Sequence, residues 1–379
     1  MRFDIKRLVR RAATRIIGRG PSGTIRPFAW HALRQHENQN RGLTFPEHFT
    51  GLIHSEQGEA FAYHPPRLLT PSGIVLYEGA LTPPARPSGI ATQEEARVYS
   101  LCPGAVAGQT CLVYCPETRV TVEESLKLWN EPVQEHPLFQ APRFPQAEHL
   151  AGTGLLIGVL GIESFYHFLL ECLPKLALTR RWWAEIDHFI INGEPNSFIQ
   201  QWLVQAGLPA EKIRWIGNWG HYTCDQLLFT NCLTRHHHIT PPILRYVHSL
   251  WPRGDLKTAS KMLWITRRNA YARHIQWEEA LLPQLAAGFE IVEMQNLTPS
   301  RQIDLLRSAR VIAGPHGAGL TGMIFAPIGT RVLEFYENTV PGANACFSRL
   351  SQVAGVQHCA VSIDFKKPSD IRWANAGLA

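Results

Sequence analysis

Several absences narrow the class of this 379-residue chain before any motif is considered. No run approaches the roughly 20 consecutive apolar residues that a membrane-spanning helix needs. The longest apolar stretch, residues 155–162, is broken by Gly158 and Gly161 and suits a buried strand. The eight cysteines are too sparse for a disulfide scaffold and form no CxxC pair, so neither disulfide stapling nor a structural zinc site is expected. A reducing cytoplasm fits such usage. There is no internal repeat, no low-complexity tract and no dense basic block. The net charge of +6 is spread out, which argues against a nucleic-acid partner and for small anionic ligands or an anionic surface. With 45% hydrophobic and 18% charged residues, the chain has the composition of a globular protein long enough for two cores.

Charge does collect at one place. In residues 1–20, Lys6, Arg7, Arg10, Arg11, Arg15 and Arg19 alternate with Ile5, Leu8, Val9, Ala12, Ala13, Ile16 and Ile17 at helical spacing. The segment is expected to form a helix, basic on one face, that lies on an anionic membrane surface. Its arginines interrupt the apolar core that a secretory signal needs.

From residue 21 to about 145 the chain is rich in proline and polar residues, with short strand-like pieces such as residues 73–77 and 110–114. After Gly152 strands and helices alternate. A strand at 155–160 precedes an amphipathic helix at 164–180, and strands follow at 187–191, 213–216 and 226–230. A helix at 243–250 leads to a second series, with strands at 262–266, 289–293, 310–313, 331–335 and 356–361. Such alternation implies parallel sheets covered by helices, with ligands bound beyond the carboxyl ends of the strands. The domains are therefore read as residues 1–20, a basic helix; 21–240, an N-terminal domain with a β-rich lead-in; and 241–379, a C-terminal domain.

Three constellations lie where chemistry is expected. The run Val311-Ile312-Ala313-Gly314-Pro315-His316-Gly317-Ala318-Gly319-Leu320 leads from a strand through a glycine-rich turn into a helix. Glycine permits positive φ and close approach, and a helix start offers free N–H groups to a phosphate. At the end of the next strand, Glu334 is placed to accept from ribose hydroxyls. The loop after strand 262–266 carries Arg267, Arg268 and Arg273, whose guanidinium forks suit phosphate oxygens. On helix 164–180, His167 and Glu171 are four residues apart on one face, and either could take a proton from an acceptor hydroxyl. By contrast, His236-His237-His238 lacks an acidic partner, and consecutive side chains diverge. No metal site is expected there.

The segments 166–174, 267–273 and 314–334 resemble glycosyltransferase family 61, with the Gly-Pro-His-Gly-Ala-Gly-Leu stretch as the most specific part. The resemblance spans roughly residues 152–359. It implies an α/β, GT-B-like enzyme of two Rossmann-like domains whose parallel sheets face a central cleft, inverting and independent of a metal or other cofactor. Its co-substrate would be a nucleotide-diphosphate sugar, bound by Arg268, Arg273, His316, Gly317, Ala318, Gly319 and Glu334. Its acceptor would be an oligosaccharide or lipid-linked glycan in bacterial surface or capsular polysaccharide synthesis, in the cytoplasm or peripherally on the inner membrane. Ser164, Glu171 and Trp277 depart from the family pattern, which leaves sugar and acceptor open. A nucleotide-sugar epimerase and a non-catalytic nucleotide- or glycan-binding protein are the alternatives.

Overall fold

The computed structural model describes residues 24–25, 51–63, 67–70, 73–76, 89–92, 95–117, 121–122, 125, 144–195, 197–234, 239–269, 277–286, 288–337 and 346–363. The basic segment 1–20, the histidine run 236–238 and Arg273 lie outside the described residues. The chain divides into two compact units. One comprises Met1–Gln57, Glu94–Glu163 and Glu171–His236, and the other Gly58–Gln93, Ser164–Leu170 and His237–Ala379.

In the first unit four strands run parallel in the order Ile213–Ile216, His188–Asn192, Glu148–Leu156, His221–Thr230. Counted along the chain this is 3-2-1-4, a doubly wound order. Leu155–Ile157, Phe189–Ile191 and Leu227–Phe229 are buried without interruption, as strands covered on both faces require. The Pro-rich lead-in joins the same sheet. Strand Ala96–Leu101 pairs antiparallel with His221–Thr230, Gly51–Glu56 follows outside it, and Gly104–Ala107 pairs with both His221–Thr230 and Leu112–Tyr114.

In the second unit the parallel strands are Glu290–Val292, Lys261–Ile265, Ala309–Pro315, Arg331–Glu337 and Gln357–Ile363, in that spatial order. Along the chain this reads 2-1-3-4-5. Trp264, Leu281, Leu285, Ala313, Leu333 and Phe335 form its core, with the Trp264 and Phe335 rings 5.1 Å apart. Here the structure departs from a domain boundary at residue 240. Strand Arg67–Thr70 lies parallel to Gln357–Ile363, and Gly73–Leu76 folds back on it as a hairpin. An open edge on Gln357–Ile363 needs a backbone partner, and distant residues supply it.

Local chemistry sets the helices of both units. Thr298 caps Pro299–Arg307 by accepting from the Arg301 N–H at 3.4 Å, with Pro299 at the first position, where its missing N–H costs nothing. The helix read as amphipathic over 164–180 is not amphipathic. It spans Phe165–Leu178, and residues 166–176 are buried all round. Its middle, Phe168–Cys172, is wound as a π-helix. Pro174 has no N–H for the Leu170 carbonyl and would crowd it, and the widened turn just ahead accommodates both. The glycine-rich turn leads into a 3₁₀-helix, Ala318–Phe325, rather than the expected α-helix. Gly319 and Gly322 weaken α-propensity. At Gly322 a Cβ would stand 2.6 Å from the Leu306 side chain, so close packing of helix Pro299–Arg307 demands glycine there.

Candidate active site

In a 2-1-3-4-5 sheet the strand order reverses between the first and third strands, and the crevice beyond their carboxyl ends is where ligands bind. Those strands are Lys261–Ile265 and Ala309–Pro315, with Trp264 opposite Ala313. Beyond their ends come Thr266-Arg267 from one and His316-Gly317 from the other. Two of the three constellations therefore converge at the switch point.

The glycines there serve close approach. None of Gly314, Gly317 and Gly319 lies in the left-handed region, Gly317 being extended at φ 172°, contrary to the conformational reason expected for them. A Cβ on Gly314 would stand 2.6 Å from the Ile265 carbonyl oxygen, and one on Gly317 would stand 1.8 Å from Arg267 Nη1. The Arg267 guanidinium thus lies directly on Gly317. Glu278, 0% exposed, holds the backbone beneath that arginine. Its carboxylate accepts from the Arg267 N–H at 2.9 Å and from Trp264 Nε1 at 2.6 Å. Arg268 turns elsewhere. Its Nε and Nη2 donate to Glu293 Oε1 at 2.9 and 2.7 Å. Hydrogen bonds from Asn269 and Arg268 hold the Glu293 carboxyl below the usual carboxylate range.

His316 is braced on several sides. Its backbone N–H donates to Phe335 O at 2.9 Å, its ring stacks on Tyr336 at 5.1 Å, and Phe347 meets it edge-on at 5.3 Å. Nδ1 is 2.5 Å from Glu334 Oε1, and His358 Nε2 is 2.8 Å from Glu334 Oε2. Glu334 is 0% exposed. Burial raises its pKa, but the hydrogen bonds and charge of the two histidines outweigh burial and hold it at about 2. A carboxylate accepts only, so each histidine donates to it. The His316 side chain keeps 19% exposure, and among the described residues its Nε2 has no hydrogen-bond partner. With both oxygens engaged, Glu334 faces inward, not toward a ribose. Tyr336 and Cys346 beside it are pushed well above their usual values by burial, then by the Glu334 charge, and stay neutral.

His167 falls in the same unit as this turn. Residues Phe165–His167 pack against Ala318–Phe325, and the Tyr166 ring meets Phe347 at 5.8 Å and His167 at 5.4 Å. Glu171, 4% exposed, belongs to the other unit. One turn on, the buried Lys175 donates from Nζ to Gly158 O at 3.2 Å, beyond the end of strand Glu148–Leu156. Burial pushes the Cys111 thiol up to about 12 and raises Cys172 as well, so neither is a thiolate nucleophile near neutrality. Among the described residues no group of three His, Cys, Asp or Glu side chains could hold a metal ion, and no helix is long and apolar enough to cross a membrane.

Sequence reasoning did not single out His358, Glu278 or Glu293. An acid in the first turn of a helix, such as Glu278, reads as a charge favouring the helix dipole. His358 stands opposite Val332 and so shares a sheet face with Glu334, a register that no local pattern discloses.

Residues 165–333, which contain the arginine loop, the glycine-rich turn and the helix of His167, match the family described as Glycosyltransferase 61. That span is somewhat under half of the chain. Arg267, His316 and Gly317 at the switch point fall within the matched span. The chain is also 27% identical over 101 residues to the EGF domain-specific O-linked N-acetylglucosamine transferase of Drosophila melanogaster. That stretch is 26% of this chain and 19% of the relative, so the chain spans about a fifth of the length of the curated relative it matches.

Proposed function

We propose that this protein is an inverting, metal-independent glycosyltransferase of the GT-B type, moving a sugar from a nucleotide-diphosphate donor to a glycan hydroxyl. The observation that carries the reading is the Arg267 guanidinium lying on Gly317 at the switch point, next in the chain to the partly exposed His316. The guanidinium, and His316 Nε2 when the ring is protonated and can donate, suit a leaving diphosphate, whose charge they stabilise as it develops. Arg268, engaged by Glu293, has a supporting part, while Glu334 orients His316 instead of touching ribose. Arg273, Ala318 and Gly319 remain donor-site residues on the family resemblance.

The reaction is one in-line displacement. The acceptor oxygen attacks the anomeric carbon, the bond from that carbon to phosphate oxygen breaks, and its electron pair leaves on the nucleoside diphosphate. The acceptor proton passes to His167, whose helix turn packs against the glycine-rich segment. Glu171 is the second candidate for that proton. The name of the Drosophila relative supports transfer to an O-linked position. The basic residues 1–20 suit a lipid-linked acceptor at an anionic membrane face, in surface polysaccharide synthesis.

The test is a thermal-shift screen of ADP, GDP, UDP, CDP and their sugars with and without EDTA, followed by product analysis with and without glycan acceptors. Stabilisation by one diphosphate that survives EDTA, and a product of inverted anomeric configuration, are expected. Loss of stabilisation in EDTA would sink the metal-free mechanism. Epimerised sugar formed without an acceptor would replace transfer with isomerisation. Full turnover in both His167→Ala and Glu171→Ala would remove the proton acceptor named here. For the membrane, removal of residues 1–20 is expected to abolish co-sedimentation with phosphatidylserine vesicles.

A further inference from the structure

Glu334 serves two histidines, and they differ in what else they do. His316 is partly exposed and carries a ring nitrogen with no partner among the described residues. The His358 side chain is 4% exposed, donates to Glu334 through Nε2, and has its Nδ1 buried with no hydrogen-bond partner among the described residues. An imidazole in such a place is a poor core residue. It fills space no better than leucine and leaves a polar atom unsatisfied. Among the described residues, the ring's one polar contact is the carboxylate that holds His316.

We propose that His358 is a positioning residue: by occupying Glu334 Oε2 it clamps the carboxylate so that Oε1 is fixed against His316 Nδ1, leaving His316 Nε2 presented to the diphosphate crevice. The ligand side of this statement rests on the donor reading above; the clamp itself does not. Without His358 this fully buried carboxylate would keep His316 and the Tyr336 hydroxyl as donors but lose the one that fixes Oε2. Held on both oxygens, it has one orientation. His316 then has one as well, because Tyr336 and Phe347 already fix its ring plane.

The charged and titratable groups near the pair can be named. From strand Arg331–Glu337 come Glu334 and Tyr336, and from helix Cys346–Ala354 come Cys346 and, three residues on, Arg349. The loop after Ile265 supplies Arg267 over Gly317. Tyr336 and Cys346 are held neutral, so the carboxylate is the anion that both imidazoles share.

Long-range ¹H–¹⁵N NMR of histidine-labelled full-length protein reads the tautomer and titration of each ring, with His316 assigned from His316→Ala. In the wild type His316 is expected as a single Nδ1–H tautomer at alkaline pH. His358→Gln, whose amide keeps an N–H for Oε2, should retain it. In His358→Leu the carboxylate keeps His316 and the Tyr336 hydroxyl but loses its donor at Oε2, so its plane is less constrained. The ring should then average between tautomers. An unchanged tautomer in a cooperatively folded His358→Leu protein would overturn the clamp. If the leucine variant does not fold, Glu334→Gln decides the matter. Its amide presents an NH2 where one carboxylate oxygen stood, so the ring facing it can no longer donate and must change tautomer or be released. Two unaltered histidines there would also overturn the proposal. Inorganic pyrophosphate is the ligand probe. It should shift the His316 Nε2 resonance, with affinity on the order of tenfold weaker in His358→Leu and restored in His358→Gln. Pyrophosphate that leaves Nε2 untouched while the tautomer results hold would sink the donor reading and leave the clamp standing.

Discussion

At the scale of single residues, the switch point turns on one contact, the guanidinium of Arg267 against Gly317. Gly317→Ala puts a methyl group where Nη1 sits, and because Nη1 ends a flexible side chain the fold should survive while the cation moves. The affinity for whichever nucleoside diphosphate stabilises the wild type is expected to fall on the order of tenfold, read by calorimetry, with little change in melting temperature. Arg267→Ala should cost more, roughly 10–100-fold, the scale of a charge-assisted hydrogen bond. Arg268→Ala should stay within about threefold, because its guanidinium already spends its fork on Glu293. Equal losses in the two arginine variants would contradict that division. The sequence discloses that arginines and glycines face one crevice, since strand ends and turn residues are local signals. It does not disclose which arginine reaches the turn, because that depends on where Glu278 and Glu293 stand once distant strands have paired.

Elements set those positions. Helix Trp277–Leu285 carries Glu278 in its first turn, and that buried carboxylate ties the strand's Trp264 to the loop's Arg267. Glu278→Leu leaves the indole N–H and a backbone N–H without their acceptor, so a loss of about 2–5 kcal/mol is expected in urea unfolding. Glu278→Gln keeps an acceptor oxygen and should recover much of it. A leucine variant as stable as wild type would show that the loop does not depend on this helix. The alternation of strands and helices was legible because parallel strands read as short apolar runs and helices begin at caps such as Thr298-Pro299. The π-turn at Phe168–Cys172 was not, because Pro174 signals only that the helix is disturbed and not how. Nor was the pairing of Arg67–Thr70 with Gln357–Ile363, which no local pattern records.

Over the whole molecule, buried ionisable groups make stability depend on pH in two stages. Burial lowers the pKa of His221 and His248 below the ordinary histidine value. Their neutral forms stabilise the fold fully above roughly pH 6.5, and that contribution is lost as pH falls toward their folded values. Glu334 acts lower down. Its folded pKa of about 2 lies under the unfolded carboxylate value, so its contribution is present above roughly pH 4.3 and is lost on the way to 2. Urea midpoints measured from pH 8 to 3 should therefore fall twice. His248→Gln, which keeps a donor for the Ile324 carbonyl, should shrink the first fall and spare the second. The hairpin at residues 67–76 adds a matter of timing. Arg67 pairs with Cys359, roughly 290 residues later in the chain. At a synthesis rate of roughly 5–20 residues per second, the hairpin leaves the ribosome on the order of 15–60 s before its partner strand exists. For that interval a nascent chain carries an unclaimed strand edge, and the last sheet closes only when its first-made piece is finally met by its last.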